Sequence, residues 1–364
     1  MSYPKIAIIY LSFHSEPDLG EAVAAFKKIT YPKDRLELII VDNPHPEFGS
    51  SVRFIEETVL PLSGVVLPHV TILPQKTNLG FSGGNNAGMK WALEHSFDYI
   101  FLHNSDGFLA GGAMESLVNV LEQDKTIGAA QALLLLYPET DLVNSAGNSY
   151  HYLGIGYCGN FRVPQSQLNI AAVSETGYLS GAAVMLRASL LKAHGLWDDD
   201  FFLYHEDIEY SLRLKSLGYK IVVAREAIFF HKYNFSRNKQ KFYYIERNRL
   251  GVIFMYYKLP TILLLLPAGI FWELGMLWFA VRQGWLLAKL KSYLYWLNPR
   301  TVAHWYKKRL QRQANRTISD RRLLAAAVST ISFPERSINS PLLRYIANPI
   351  LFVYWKIVRL ILWW

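Results

Sequence analysis

The 364-residue sequence contains a single cysteine, Cys158. One cysteine excludes an internal disulfide framework and a cysteine-rich zinc site, and it fits a reducing compartment. The opening residues, MSYPKIAIIYLSF, lack a basic segment ahead of a long apolar stretch, so no signal peptide is expected. Repeats, low-complexity tracts and a flexible linker are lacking as well. The chain is long enough for one ordinary core and a second region.

Acidic residues are scarce in the C-terminal part, although the formal net charge of the whole chain is only +9. From Arg282 onward, fifteen Lys and Arg stand against Asp320 and Glu335, a balance of +13 that leaves about −4 for everything before it. This basic tail is interleaved with Trp, Tyr and Leu and follows a long apolar run. We therefore expect anionic membrane lipid, and not nucleic acid, to be its partner.

The first 224 residues alternate short β-branched runs with helical ones, which predicts an α/β domain with a largely parallel sheet. Strands are expected at 5–11, 36–41, 70–73 and 99–103, each followed by a loop and a helix. Polar clusters follow these strands at 14–15, 42–43, 78–86 and 104–106. Ligands of open α/β sheets bind at the carboxyl ends of the strands, so these clusters mark the expected site.

An acidic pair, Glu206 and Asp207, opens a predicted basic amphipathic helix that ends at Gly218. The helix dipole and free backbone N–H groups are expected to keep both carboxylates ionised, which suits a general base or a hydroxyl-binding site. An acidic N-cap without a chemical role is the alternative.

The segment NLGFSGGNNAG, residues 78–88, looks like a glycine loop that opens a helix. It matches neither the Walker pattern nor the dinucleotide-binding fingerprint. Gly80 and Gly83 would allow a ligand to approach closely, and the amides of Asn85 and Asn86 could donate or accept hydrogen bonds. A plain loop and helix cap is the alternative.

The segment HNSDG places Asp106 beside Asn104 at the end of an apolar strand. Oxygen ligands of this kind suit Mg²⁺ or Mn²⁺, whereas an Asx turn would explain the same residues without a metal. His231 ends another apolar run, where it is either structural or a further metal ligand. Arg247 is expected on a helix, where it could reach a phosphate or pair with Glu246.

Seven ordered segments, which are LSFHSEPDL, VDNP, NLGFSGGNNAG, HNSDG, SGAAVMLRASLL, FFLYHEDIEYSLRLKSLGY and IERNRL, resemble the inverting GT-A glycosyltransferases of family 2. The resemblance covers about the first 250 residues and is greatest to the rhamnosyltransferase-like branch. It implies a GT-A nucleotide-sugar-binding fold, with a mostly parallel central sheet flanked by helices. A domain over residues 1–257 and a C-terminal helical membrane-associating region over 258–364 are expected.

The resemblance also implies roles for individual residues toward a nucleotide-diphosphate sugar donor. Asp42 would contact the base, and the loop from Asn78 to Asn86 would line the donor pocket, with Asn104 and Arg247 as further donor-binding residues. Asp106 would hold the metal, and His231 is similar in position to a histidine that can join it.

For the acceptor, a glycan or a lipid-linked oligosaccharide, the resemblance implies that Asp207 is the catalytic base and that Glu206 orients the hydroxyl. One displacement would invert the configuration, and a single sugar would be added because a QxxRW signature is lacking. Asn104 and Ser105 depart from the family, which usually has an aspartate and a proline there. The metal site would therefore rest more heavily on Asp106.

Residues 259–281 are long and apolar enough to span a membrane, but Pro267 and Glu273 argue against a simple span. Residues 341–364 are typical of an interfacial helix. Monotopic attachment at the cytoplasmic face of the cell membrane is expected. A re-entrant or spanning first segment and a soluble, dimerising helical pair are the alternatives.

Two other functions fit parts of the sequence. One is a nucleotide-sugar-binding GT-A protein that has lost turnover through its altered metal motif. The other is a sugar nucleotidyltransferase, which is disfavoured because no basic glycine-rich loop lies near the N-terminus.

Overall fold

The computed structural model describes residues 3–233, 241–332 and 341–364, and these form two compact units. Residues 3–147, 159–202 and 220–233 make up the sheet unit. Residues 148–158, 203–219 and the described residues from 241 onward make up the helical unit. The domain boundary expected between residues 257 and 258 stays a prediction. The two units are defined by the packing of the chain, whereas the expected domains were defined by function.

Strands and helices alternate through the first half of the chain, and helices dominate the second half. The strands are β1 Ile6–Ser12, β2 Leu36–Asp42, β3 His69–Pro74, β4 Tyr99–Asn104, β5 Gly107–Leu109, β6 Ile127–Leu136, β7 Val143–Ser145, β8 Asn148–Tyr150, β9 Gly156–Cys158, β10 Val173–Glu175, β11 Ala183–Arg187 and β12 Lys220–His231. The helices are α1 Glu16–Phe26, α2 Val52–Thr58, α3 Gly80–Glu94, α4 Ala113–Gln123, α5 Ala188–His194, α6 Glu206–Ser216, α7 Lys241–Tyr256, α8 Leu259–Gln283, α9 Leu286–Leu297, α10 Pro299–Ala314, α11 Asp320–Leu323 and α12 Asn348–Ile361.

The sheet unit is built on one sheet whose main strand order is β10-β12-β6-β11-β4-β1-β2-β3. The four strands expected from the sequence are confirmed as β1 to β4, and they pair in parallel. The expectation of a mostly parallel sheet is confirmed only in part: β6 and β12 also pair in parallel, but β11 lies antiparallel between β4 and β6, and β5, β7 and β10 pair antiparallel as well. A parallel neighbour of β6 would need a connection that returns the chain to the edge where β6 begins, and such connections are usually α-helices. No α-helix lies between β6 and β11, which pair antiparallel. The sheet is therefore mixed.

The core of the sheet unit lies on both faces of the central strands. All seven residues of β1 and all ten of β6 are buried, as sequences that are apolar apart from Ser12 and Gln131 predict. The glycines of α3 allow that helix to approach β1 closely. A Cβ atom on Gly84 would come within 2.5 Å of Leu11 Cδ1, and one on Gly88 within 2.7 Å of Ile9 Cγ2.

The helical unit contains a buried charge cluster, formed by Glu246 and Arg249 of α7, Glu273 of α8 and Lys289 of α9. Lys289 Nζ lies 2.6 Å from one Glu273 oxygen, and Arg249 lies 3.2 Å from Glu246. Arg249 also pairs with Glu273, and Lys289 with Glu246. Two cations thus balance two anions, which explains how an apolar helix such as α8 accommodates Glu273.

Replacing Lys289 by Met should lower the free energy of unfolding by about 3–5 kcal/mol, because one arginine would be left to balance two buried glutamates. Urea unfolding in mild detergent, followed by circular dichroism, measures the change. Lys291→Met on the exposed side of the same helix is the matched control and should change stability by less than about 0.5 kcal/mol. Equal effects of the two substitutions would contradict the role assigned to the cluster.

Candidate functional site

The carboxyl ends of three parallel strands bring polar residues to one edge of the sheet. In the strand register Ser12 lies opposite Asp42, and Leu11 lies opposite Asn104. The polar clusters after β1, β2 and β4 are therefore at the same edge, as the sequence predicts.

Asp106 and His231 meet at this edge, although 125 residues separate them. His231 Nε2 lies 3.0 Å from Asp106 Oδ1, because β5 brings the segment after Asp106 alongside the end of β12. The Asn104 amide donates to the same Asp106 oxygen at 2.6 Å and lies 3.4 Å from His231 Nε2. The structure thus brings together three of the residues that the sequence nominates for the metal and donor diphosphate.

Asn144 orients the histidine, and sequence reasoning missed it. His231 Nδ1 lies 2.9 Å from Asn144 Oδ1, so the ring directs Nε2 toward Asp106. Asn144 lies in β7, 87 residues from His231, and is buried beside apolar residues of that hairpin. The strand is only Val143–Ser145 and holds a second polar residue, so the local sequence does not single out Asn144 or name its partner.

The pair fits a divalent cation. Burial opposes ionisation of Asp106, but the charge and hydrogen bond of His231 outweigh it and lower the pKa of the carboxyl. A carboxylate that is 40% exposed and an imidazole oriented by the Asn144 amide are suitable ligands. Within the described ranges no cluster of three His, Cys, Asp or Glu gathers to enclose a metal. A bound ion would therefore need other oxygens to complete its coordination.

Asp42 is buried and shapes the loop that follows β2. Its two oxygens accept hydrogen bonds from the Ser50 hydroxyl at 2.6 Å and the Ser51 N–H at 2.9 Å. The next residue, Asn43, accepts from the Leu79 N–H at 2.7 Å and so ties this loop to the segment before α3. Both side chains are held in place by the chain itself.

The expected glycine loop is largely helix, because α3 begins at Gly80. Gly80 has φ +72°, and a Cβ atom there would lie 2.4 Å from the Phe202 carbonyl oxygen. Asn78 Oδ1 accepts from the Gly80 N–H at 2.8 Å. The start of this helix is therefore closely packed and fixed by its own side chains.

The next turn of α3 also faces the protein. A Cβ atom on Gly83 would meet Leu79 at 2.9 Å. The Asn85 amide donates to the Phe81 carbonyl, and the Asn86 amide donates to the Trp197 carbonyl at 2.8 Å. Close packing within the protein therefore explains the small residues of α3. The donor-pocket role expected of them stays a prediction.

The acidic pair lies in the helical unit, at the start of α6. Glu206 is buried, and its Oε2 has no hydrogen-bond partner among the described residues. Burial and the nearby Asp207 charge raise the pKa of Glu206 well above its usual range. At Glu206, desolvation therefore outweighs the helix N-terminus, which was expected to favour the ionised form. Asp207 is only half-buried and accepts from the Ile208 N–H at 2.8 Å.

The backbone before this pair is held in an uncommon conformation. Tyr204 and His205 have φ +66° and +70°, a left-handed region that non-glycine residues rarely occupy. Asn248 of α7 donates to the Leu203 and Tyr204 carbonyls at 3.0 and 2.7 Å. The His205 ring lies 3.1 Å from the Gly154 carbonyl. Asn248 thus fixes the entry to α6, a role that the sequence did not reveal.

Arg247 also lies in the helical unit, on α7 as expected. Its guanidinium lies over the rings of Tyr243, Tyr244 and Tyr295, between 5.1 and 5.4 Å from their centroids. Glu246, its proposed alternative partner, pairs with Arg249 and Lys289. The structure therefore brings Asp106, His231 and Asn104 together in one unit, and Glu206, Asp207 and Asn248 in the other.

A mixed α/β sheet with polar residues at the carboxyl ends of its strands is typical of ligand-binding α/β folds, and sequence comparison identifies the family. A family described as glycosyltransferase like family 2 matches residues 4–251. The chain therefore belongs to that family.

Two curated relatives are similar to part of the chain. The probable glycosyltransferase YdaM of Bacillus subtilis is 26% identical over 229 residues, which are 60% of this chain and 48% of YdaM. The N-acetylglucosaminyl-diphospho-decaprenol L-rhamnosyltransferase of Mycobacterium tuberculosis is 25% identical over 185 residues, which are 45% and 59% of the two chains. The chain thus spans about half the length of the curated relatives it matches.

Solved structures share the fold at low sequence identity. GalNAc-T7 with UDP, GalNAc and Mn²⁺ has a TM-score of 0.55 at 13% identity, covering 70% of this chain and 48% of its own. Residues 1–349 of S. aureus TarS in complex with UDP have a TM-score of 0.51 at 16% identity, covering 98% and 90%. These similarities show a fold that resembles the GT-A glycosyltransferases.

Replacing Glu206 by Gln should stabilise the protein increasingly as the pH rises. Because the folded pKa is raised, the folded protein keeps a proton that the unfolded chain releases above about pH 4.5. The stability from this group is complete below that pH and is lost as the pH rises toward the folded pKa. Since Gln has no proton to lose, the variant should gain about 1.4 kcal/mol over the native protein per pH unit in this window.

Urea unfolding at pH 5, 6.5 and 8 checks this expectation. Glu94→Gln, at the exposed end of α3, is the control and should differ from the native protein equally at all three values. A Glu206→Gln difference that does not change with pH would show that Glu206 is ionised in the folded protein.

Proposed function

We propose that this glycosyltransferase moves a single sugar, with inversion, from a nucleoside-diphosphate sugar to a hydroxyl of a glycan or lipid-linked acceptor. The observation that carries the proposal is the Asp106–His231 pair, 3.0 Å apart at the carboxyl edge of the sheet. A carboxylate and an oriented imidazole at that edge suit the diphosphate end of such a donor, through a divalent cation.

On the donor side, Asp106 and His231 would hold Mg²⁺ or Mn²⁺, and Asn104 would lie beside the diphosphate. When bound, the cation would neutralise charge on the departing nucleoside diphosphate. Asp42 and the start of α3 would border the base and ribose, since the hydrogen bonds of Asp42 and Asn43 fix the loops after β2 and β3. Arg247 would supply a further positive charge to the donor.

On the acceptor side, Asp207 would take the proton of the attacking hydroxyl. The acceptor oxygen bonds to the anomeric carbon while the bond from that carbon to the diphosphate oxygen breaks, which inverts the configuration. Asp207 suits a base because it is half-exposed, whereas the buried Glu206 has a raised pKa, which favours its protonated form. A protonated Glu206 can donate a hydrogen bond, which suits the role of orienting the acceptor hydroxyl.

The surroundings of the reaction are proposed to be the cytoplasmic membrane surface. The rhamnosyltransferase relative is named for a diphospho-decaprenol substrate, which is a lipid-linked acceptor. One described helix, α8, has the length and apolar composition needed to cross a membrane. An enzyme that meets cytosolic donors and lipid-linked acceptors would act at this surface in surface polysaccharide or glycoconjugate synthesis.

A binding protein without turnover is the second candidate. The observation that favours it is the Asn104 amide, which donates to Asp106 Oδ1 at 2.6 Å where the family usually supplies another carboxylate. Release of nucleoside diphosphate from a panel of donors separates the two, because a binder would saturate without release.

Asp207→Asn should reduce sugar transfer by roughly 10²–10⁴-fold, the usual contribution of a general base. Donor affinity should stay within about threefold, because the amide keeps the size of the side chain. Transfer is measured by mass spectrometry of the product, and donor binding by calorimetry. Asp34→Asn, an exposed acid before β2 at the opposite edge of the sheet, is the control for both measurements. A parallel loss of transfer and donor binding would assign Asp207 a structural role.

Asp106→Asn should abolish binding of Mn²⁺ in the presence of the donor nucleotide, because it removes the only carboxylate at the pair. Electron paramagnetic resonance titration of Mn²⁺ reports binding without requiring turnover. Chelation of the native protein should stop transfer, and either Mn²⁺ or Mg²⁺ should restore it. Nucleotide-dependent Mn²⁺ binding that survives in Asp106→Asn but not in an Asp42 variant would place the metal elsewhere.

A further inference from the structure

Helix α8 exposes apolar side chains and directs the charged side chain of Glu273 toward the protein, which is the reverse of a helix on a water-soluble surface. From Leu259 to Val281 its exposed large side chains are apolar, and most of them recur every three or four residues: Leu259, Leu263, Leu266, Ile270, Phe271, Leu274, Trp278 and Val281. The side toward the protein carries the one charge within these residues, Glu273. A stripe of this length facing water would be unusual, and it marks a surface that binds something apolar.

Both ends of α8 are tied to the helical unit. At the start, Asp320 accepts hydrogen bonds from the Lys258 N–H, at 2.9 Å, and from the Thr261 hydroxyl. At the end, Gly284 adopts φ +70°, and the following residue, Trp285, is buried against Phe242 of α7, with their ring centroids 4.5 Å apart.

The middle of α8 is fixed as well, because Glu273 pairs with Arg249 of α7 and Lys289 of α9. A 25-residue helix is about 37 Å long. Because it is attached to the same folded unit at its start, middle and end, it cannot place its two ends on opposite sides of a bilayer. To cross, it would have to carry a buried cluster of four charges into the hydrocarbon.

Helices α9 and α12 add further apolar surface to the same unit. The exposed apolar residues of α9 are Leu287, Leu290, Leu294 and Leu297, and those of α12 include Ile350, Val353, Ile357 and Leu360. Tyr354 of α12 donates to the Leu264 carbonyl at 2.5 Å, and Trp364 donates to the Thr261 hydroxyl at 2.8 Å. α12 therefore packs beside the first half of α8, while α9 packs beside its middle.

The charges on α9 and α12 indicate what binds this apolar surface. Lys291, Lys356 and Arg359 are exposed among the apolar residues of α9 and α12, and the Lys356 ammonium lies 4.6 Å from the Phe352 ring centroid. Long basic side chains can keep their charge at a headgroup while their stems lie along apolar surface. A second copy of the chain would bring like charges together, whereas an anionic leaflet neutralises them.

We propose that α8, α9 and α12 form an in-plane membrane surface that enters one leaflet and binds anionic headgroups through Lys291, Lys356 and Arg359. α8 lies along the bilayer and does not cross it. This surface rests on the membrane association of the proposed function and specifies how it is made, and it does not depend on the sugar chemistry.

Depth measurement on the full chain tests the proposal. In a Cys158→Ser background, single cysteines at positions 263, 270 and 281 are labelled with an environment-sensitive fluorophore and mixed with phosphatidylcholine–phosphatidylglycerol vesicles. Lipids with nitroxides at shallow and deep acyl positions then quench the label. An in-plane helix should give all three positions the same shallow depth in the outer leaflet. A crossing helix would separate positions 263 and 281 by up to about 27 Å, with 270 deepest, and would overturn the proposal.

Two controls complete the design. A label at Val65, which is 74% exposed in the sheet unit, should not be quenched. Lys356→Gln combined with Arg359→Gln should weaken binding to the anionic vesicles about fivefold for each charge removed, and leave binding to pure phosphatidylcholine unchanged. If lipids quench none of the three labels and sedimentation without vesicles shows a dimer, a second copy of the chain covers this face and the proposal is overturned. Sugar transfer to a water-soluble acceptor is measured separately, so failure of the proposed reaction would leave these outcomes unaffected.

Discussion

Buried charge requires an opposite charge nearby, and this constraint arranges both units of the protein. In the sheet unit it joins Asp106 to His231 at the edge where β4 and β12 end. In the helical unit it joins three helices through Glu246, Arg249, Glu273 and Lys289. The first pair is the proposed place for the leaving diphosphate of a donor. The second holds an apolar helix to the fold without exposing its charge.

Two buried acids of α6 differ in the direction of their pKa shift. Glu209 lies one turn after Glu206 and is equally buried, but Arg213 counters the effect of burial and lowers the pKa of Glu209. At Glu206, burial and the charge of Asp207 both raise the pKa. A raised pKa favours the protonated form of Glu206, which could donate a hydrogen bond in the proposed acceptor site.

The pairing of buried charges also organises the apolar C-terminal region, where the exposed side of α8 is apolar. The charge of Glu273 is paired within the protein, and the exposed side of α8 is apolar from Leu259 to Val281. Attachment at both ends then limits how the helix can meet a bilayer. For an enzyme proposed to act on lipid-linked acceptors, an in-plane surface brings the chain to its substrate while donors arrive from the cytosol.

The sequence alone predicted β1 to β4, the start of α6 at the acidic pair and the family, because continuous apolar runs, a helix-ending Gly218 and ordered motifs are local patterns. It missed the antiparallel strands of the mixed sheet and the raised pKa of Glu206, since strand order and desolvation depend on distant parts of the chain. Asn144 and Asn248 could not be found, because their partners lie 87 and 45 residues away in sequence. Local periodicity determines which segments form strands and helices, whereas only tertiary packing decides which charges are buried together and which side of α8 remains exposed.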